Sequence, residues 1–143
     1  MEAFLVFLQK NPMHLALFGT AVVSGGMILW PLINRVAKPG KSVGPVQAVQ
    51  LINRSDAVVV DVREPTEFND GHITGARHIP QRLLAERLKE LDRAKGKPII
   101  VVCASGNRSR GAAALLQKSG HEQVYNLEGG LAAWTQAGMP LEK

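Results

Sequence analysis

Apolar residues along this chain gather in short blocks separated by amphipathic stretches. Ala57-Val58-Val59-Val60-Asp61-Val62, Ile99-Ile100-Val101-Val102 and Val124-Tyr125-Asn126-Leu127 are near-continuous apolar runs. Runs of this length and β-branched content are expected of strands buried on both faces. Ala76 to Ile79 predicts a shorter strand, closed by Pro80. Between these blocks the spacing changes to that of helices. Pro45 opens a helix through Ile52, with Val46, Val49 and either Leu51 or Ile52 on one face. Pro65 starts a short helical turn that Gly71 ends, and Leu83, Leu84, Leu88 and Leu91 form a helical stripe with a polar face outside. Gly111-Ala112-Ala113-Ala114-Leu115-Leu116 reads as a helix ending near Gly120, and Leu131–Gln136 as a last one. Strands alternating with helices predict an α/β fold, a small parallel sheet flanked by helices on both faces.

One stretch breaks this rhythm. From Met13 to Ile33 no residue is charged, His14 apart. At ~1.5 Å per helical residue the span reaches about 30 Å, enough to cross a bilayer core. Asn11-Pro12 suits a helix start, and Trp30 falls where indoles meet the membrane interface. A buried core helix or a cleaved leader would be the alternatives. No polar stripe marks the first, and no small-residue cleavage site marks the second. The chain therefore divides into a short segment 1–12, a transmembrane helix 13–34, a basic linker 35–42 and a domain 43–143. Arg35, Lys38 and Lys41 follow the span and only Lys10 precedes it, which predicts a single pass through the plasma (inner) membrane with the domain in the cytoplasm.

Charge adds little beyond that. The net charge is +5, but after Lys41 there are 13 basic and 11 acidic residues, so nucleic acid is not an expected partner. A single cysteine excludes an internal disulfide and fits a reducing compartment. His14, His72, His78 and His121 lack ligand spacing, so no metal site is expected.

The candidate chemistry lies in Cys103-Ala104-Ser105-Gly106-Asn107-Arg108-Ser109-Arg110. A cysteine between a parallel strand and the helix after it sits at the carboxyl edge of the sheet, where open α/β folds bind ligands. A lone cysteine there is often only a small buried hydrophobe. The residues after this one are small or polar, and Gly106 lets the backbone curl with its amides inward. Such a ring of N–H groups at a helix start cradles anions and stabilises a thiolate. Arg108 adds a planar fork suited to oxyanions. Asp61 with Arg63 at a strand end predicts a lock between turns, and His72 a turn residue rather than a base. Trp134 is expected to cover the core, and Gly129-Gly130 to make a tight strand-to-helix turn.

The loop, Cys-x-x-Gly-x-Arg-Ser, resembles the active-site loop of rhodanese (thiosulfate sulfurtransferase) domains. Asp61-Val62-Arg63-Glu64-Pro65-Thr66-Glu67-Phe68, Gly71-His72-Ile73-Thr74-Gly75-Ala76, His78-Ile79-Pro80 and Leu127-Glu128-Gly129-Gly130 with Trp134 follow in family order. The resemblance implies a rhodanese-like domain carrying a sulfurtransferase. Cys103 would take sulfane sulfur from a small anionic donor as a persulfide, then pass it to a thiol, protein or cyanide acceptor, with no cofactor. Ala104, Ser105, Gly106, Asn107, Arg108 and Ser109 would hold the donor: Arg108 and the loop amides directly, Ser105, Asn107 and Ser109 through side-chain hydrogen bonds. Two other readings stay open. One is a membrane-anchored binding or regulatory module. The other is a cysteine-based phosphatase or arsenate reductase, whose loop has five residues between cysteine and arginine where this one has four.

Overall fold

The computed structural model describes residues 41–143 and, before them, Met13, Thr20 and Ser24. Two compact units divide the chain, Met1–Lys38 and Pro39–Lys143. The expected segment 1–12, span 13–34 and linker 35–42 lie outside the described residues, those three positions and Lys41-Ser42 apart. Among the described residues no helix is long and apolar enough to cross a membrane.

The second unit is a five-stranded, wholly parallel sheet. Its strands are β1 (Lys41–Val43), β2 (Val58–Asp61), β3 (Arg77–His78), β4 (Ile99–Val102) and β5 (Val124–Leu127), in the order β1-β5-β4-β2-β3. The helices are α1 (Pro45–Ser55), α2 (Pro65–Asp70), α3 (Asn107–Lys118) and α4 (Gly130–Gln136). Central β4 is buried at all four positions because it is covered twice. Side chains alternate between faces along a strand. Val60, Ile99, Val101 and Val124 pack with Ala112, Ala113 and Leu116 of α3, while Val59, Ile100, Val102 and Leu127 pack with Ala48 of α1 and Leu131 and Trp134 of α4. Burial of each of these Val, Ile and Leu side chains contributes up to roughly 1.5–3 kcal/mol relative to exposure.

Four expectations need correction. The stripe at 83–91 is not an α-helix but two 3₁₀ segments, Gln81–Leu83 and Leu88–Ala94. Leu91 and Ala94 are buried and Leu88 packs against them, so apolar positions recur every three residues, the 3₁₀ period. Lys41–Val43, read as linker up to its last residue, pairs with β5 as an edge strand. Only Val43 of the three is apolar and buried, too short a pattern to show in the sequence. In α1, Val46 is exposed and Ala48 is the buried residue, and the helix runs on to Ser55. Finally, α3 begins at Asn107, so the second half of the cysteine loop is already its first turn.

Candidate active site

Cys103 is the first residue past β4, a strand held on both sides by β2 and β5. It is fully buried. From there the chain curls through Ala104 and Ser105 to Gly106, which caps α3 with φ 93° and makes no side-chain cap. A Cβ at Gly106 would lie 3.2 Å from the Gly129 nitrogen and 3.3 Å from the Leu127 carbonyl oxygen, in a region of φ that L-residues avoid. The helix-start amides, with no side-chain cap, turn on the sulfur instead. Gly106 N–H donates to Cys103 Sγ at 3.0 Å, and the N–H groups of Ser105 and Ser109 face it as well.

The loop carbonyls are turned the other way, and α4 holds them. Leu131 N–H donates to the Cys103 carbonyl at 2.8 Å, and Ala132 N–H to that of Ala104 at 3.2 Å. Gly130, at φ 59°, permits this approach, since a Cβ there would come within 2.4 Å of the Cys103 oxygen. Gly129-Gly130 is thus the expected tight turn and also the seat of the loop.

Beneath the sulfur lies a buried polar pair. Ser109 Oγ is 3.2 Å from Cys103 Sγ, and its hydroxyl donates to Asn126 Oδ1 at 2.5 Å. Both residues are buried. Burial pushes the thiol up, yet the hydrogen bonds from Ser109 and from the Ser105 and Gly106 amides outweigh it, so Cys103 ionises below the ordinary thiol range.

Of the six loop residues assigned to the donor, Ser109 and Gly106 contact the sulfur directly, whereas the side chains of Ser105 and Asn107 are exposed to solvent. Arg108 is not a free cation. Its Nη1 and Nη2 donate to Glu67 of α2 at 2.8 and 2.7 Å, a bidentate pair. The pair holds Glu67 down to about 2 and Arg108 above its usual value. Arg108 lies close enough to Cys103 for the two charges to interact, so its fork serves as a half-neutralised electrostatic wall.

Asp61 and Arg63 form the expected lock. Arg63 donates from Nε and Nη2 to the Asp61 carboxylate, and from Nη2 to the Gly71 carbonyl at 2.7 Å, joining the end of β2 to the end of α2. His72 is occupied too, donating from Nδ1 to the Phe68 carbonyl at 3.0 Å and facing Glu142 through Nε2. Glu67 and Asn126 are the site residues that the sequence reading did not assign. Glu67 had a signal, an acid three residues after Glu64 at a Pro-led helix start. Asn126 had a weaker one, a polar residue inside an otherwise apolar strand.

Known proteins resemble this chain at the same residues. The family model for the rhodanese-like domain matches residues 45–137. Thiosulfate sulfurtransferase GlpE of Pseudomonas putida is 43% identical over 94 residues, covering 66% of this chain and 84% of that one. The crystal structure of a rhodanese-related protein from Thermoplasma volcanium superposes with TM-score 0.64 at 35% identity, covering 71% of this chain and 97% of the other. A structure from Rhodopseudomonas palustris, described as a possible tyrosine phosphatase, gives TM-score 0.66 at 30% identity, over 76% of this chain and 89% of that one.

Proposed function

The chain belongs to the rhodanese-like family, and from that premise we propose that it is a thiosulfate sulfurtransferase working through Cys103. The observation that carries the reading is a sulfur ringed by N–H donors at the start of α3, tuned toward the thiolate. The Cys103 thiolate attacks the outer sulfur of thiosulfate. The sulfur–sulfur bond of the donor breaks, and its electron pair leaves with sulfite. Cys103 now bears a persulfide, whose outer sulfur the next nucleophile, cyanide or a thiolate, attacks. The carbon–sulfur or new sulfur–sulfur bond forms as the persulfide bond breaks, returning the electron pair to Cys103. Two half-reactions through one covalent intermediate give ping-pong kinetics.

Loop amides from Ala104 to Ser109 hold the donor, and Arg108, steadied by Glu67, supplies positive potential beside them. Segment 13–34 anchors the domain to the inner membrane, facing the cytoplasm, where acceptor thiols are plentiful. Extraction by alkaline carbonate would refute the anchor, and labelling of Cys103 in intact cells by an impermeant thiol reagent would refute the orientation.

Phosphate-ester hydrolysis is the second reading, favoured by the likeness to the R. palustris structure. Four residues between Cys103 and Arg108, and a fork already taken by Glu67, weigh against it. Cys103→Ser decides the first reading. It should abolish thiosulfate:cyanide transfer and the thiol-labile mass gain of one sulfur atom while the fold persists. Transfer surviving that change, or efficient aryl-phosphate hydrolysis by the wild type, would overturn it.

A further inference from the structure

The hydrogen-bond inventory around the sulfur leaves one proton to be shared. Ser109 Oγ stands within reach of both Cys103 Sγ, at 3.2 Å, and Asn126 Oδ1, at 2.5 Å, and a hydroxyl carries a single hydrogen. An amide oxygen only accepts, so with Oδ1 turned to Ser109 that hydrogen points to Asn126. A thiol at Cys103 fits this arrangement, because S–H donates to the free lone pair of Ser109. A thiolate does not, since it would face an oxygen lone pair with no hydrogen between them. Ser109 and Asn126 are both buried, at 0% and 1% exposure, so water cannot make up the difference.

An asparagine can resolve the conflict where an ionised acid cannot. Turning its amide by half a revolution replaces the acceptor with an N–H donor. We infer that Asn126 is a positioning residue for the sulfur, its amide turning with the charge on Cys103 so that the Ser109 hydroxyl points to Oδ1 in one state and to Sγ in the other. The inference rests on the sulfurtransferase reading only for its place in the cycle. On ionisation the Cys103 proton leaves to solvent. Ser109 keeps its own hydrogen and re-aims it at Sγ, and Asn126 Nδ2 donates to Ser109 Oγ. Once a persulfide forms, the negative charge moves to the outer sulfur, and the hydroxyl swings back to Oδ1. Cys103 Sγ and Ser109 Oγ are satisfied in each state, and neither Ser109 nor Asn126 gains or loses a proton.

One other charge faces Cys103, Arg108 of α3, which is paired with Glu67 of α2 and also feels Asp61 at the end of β2, itself paired with Arg63. None of them touches Asn126, and the test leaves them unaltered.

The test is the pH dependence of iodoacetamide alkylation of the full chain, where the lone cysteine makes the midpoint that of Cys103. Asn126→Asp can only accept from Ser109, so its midpoint should rise by about one pH unit, roughly tenfold less thiolate at a given pH below it. Asn126→Leu frees the hydroxyl for the sulfur, and its midpoint should be no higher than wild type. Ser109→Ala should raise the midpoint, and in that background Asn126→Asp should add less than half its usual shift. A wild-type midpoint in Asn126→Asp, equal rises in the Asp and Leu variants, or a shift undiminished without Ser109 would each overturn the inference. Should Asn126→Asp fail to fold, the other two decide: Asn126→Leu rising as far as Ser109→Ala overturns it. Sulfur-transfer assays on the same proteins separate the two conclusions. The expected shifts without transfer would remove the sulfurtransferase and keep the switch. Transfer with unmoved midpoints would remove the switch alone.

Discussion

Two neighbouring strands end at the same edge of the sheet and each feeds a helix, yet only one of these two junctions turns its backbone donors on a cysteine. Where β2 meets α2, the backbone donors are consumed locally. Pro65 has no N–H, the Glu64 N–H donates to Glu67 Oε2 at 3.0 Å, and the Arg63 N–H donates to Asp61 at 3.0 Å. Where β4 meets α3, Gly106 caps the helix without a side chain and the donors converge on Cys103. Position on the fold is therefore not what makes the site. Which groups satisfy the first turn of the helix decides it: acids and a proline close one junction, and their absence leaves the other open to an anion. Glu67 serves both, capping its own helix and gripping Arg108 of the other.

The largest effect should come from breaking the closed junction. Asp61→Ala strips the buried Arg63 guanidinium of its carboxylate, leaving only the Gly71 carbonyl. Removal of one partner from a buried pair costs about 3–5 kcal/mol, measurable by urea unfolding. A loss below about 1 kcal/mol would mean that the lock is dispensable. Breaking the seat of the open junction comes next. Gly130→Ala places a Cβ against the Cys103 carbonyl at an unfavourable φ, and should cost at least about 2 kcal/mol. It should also lower transfer more than Asp61→Ala does, when both are assayed well below their unfolding midpoints. Equal activities would show that the loop tolerates a shifted backbone.

Glu67→Gln sharpens the comparison with the smallest change. Both partners of this ion pair are more than a third exposed, so solvent screening limits its contribution to about 1 kcal/mol or less. The folded carboxyl titrates at about 2, below its ordinary value near 4.3. A depressed acid stabilises the fold above its unfolded pKa and loses that contribution as pH falls through the folded one. The stability gap between wild type and Glu67→Gln should therefore be full above about pH 5 and shrink to nothing as pH falls toward 2. A gap that stays constant over that range would show that the pair contributes no net charge interaction.

How much of this was readable from the residues depends on the length scale of the cause. The strands at 58–61, 99–102 and 124–127 were legible because burial on both faces writes apolar runs into the sequence. Cys103 and Gly106 were legible because their chemistry acts within three residues. Leu88–Ala94 misled because spacings of three and four look alike over so short a stretch. Glu67 and Asn126 act on residues 41 and 17 positions away, and no local pattern announces a partner at that range. The edge strand Lys41–Val43 exists only because β5 is there to pair with it.

The carbonyls of Cys103 and Ala104 are tied to α4, while the side chains of Ser105 and Asn107 stand free on the outer surface of the same loop. The loop thus separates a fixed part from an interchangeable one. Its peptide planes cannot flip without breaking two hydrogen bonds, so the sign of the charge it welcomes is settled by the scaffold. The exposed side chains of Ser105 and Asn107 are not so constrained. Exchanging Ser105 and Asn107 for other residues should alter which donors and acceptors are admitted without altering the preference for anions. On the proposed function, single substitutions at these two positions would make new partners reachable while the hydrogen bonds onto Cys103 stay in place.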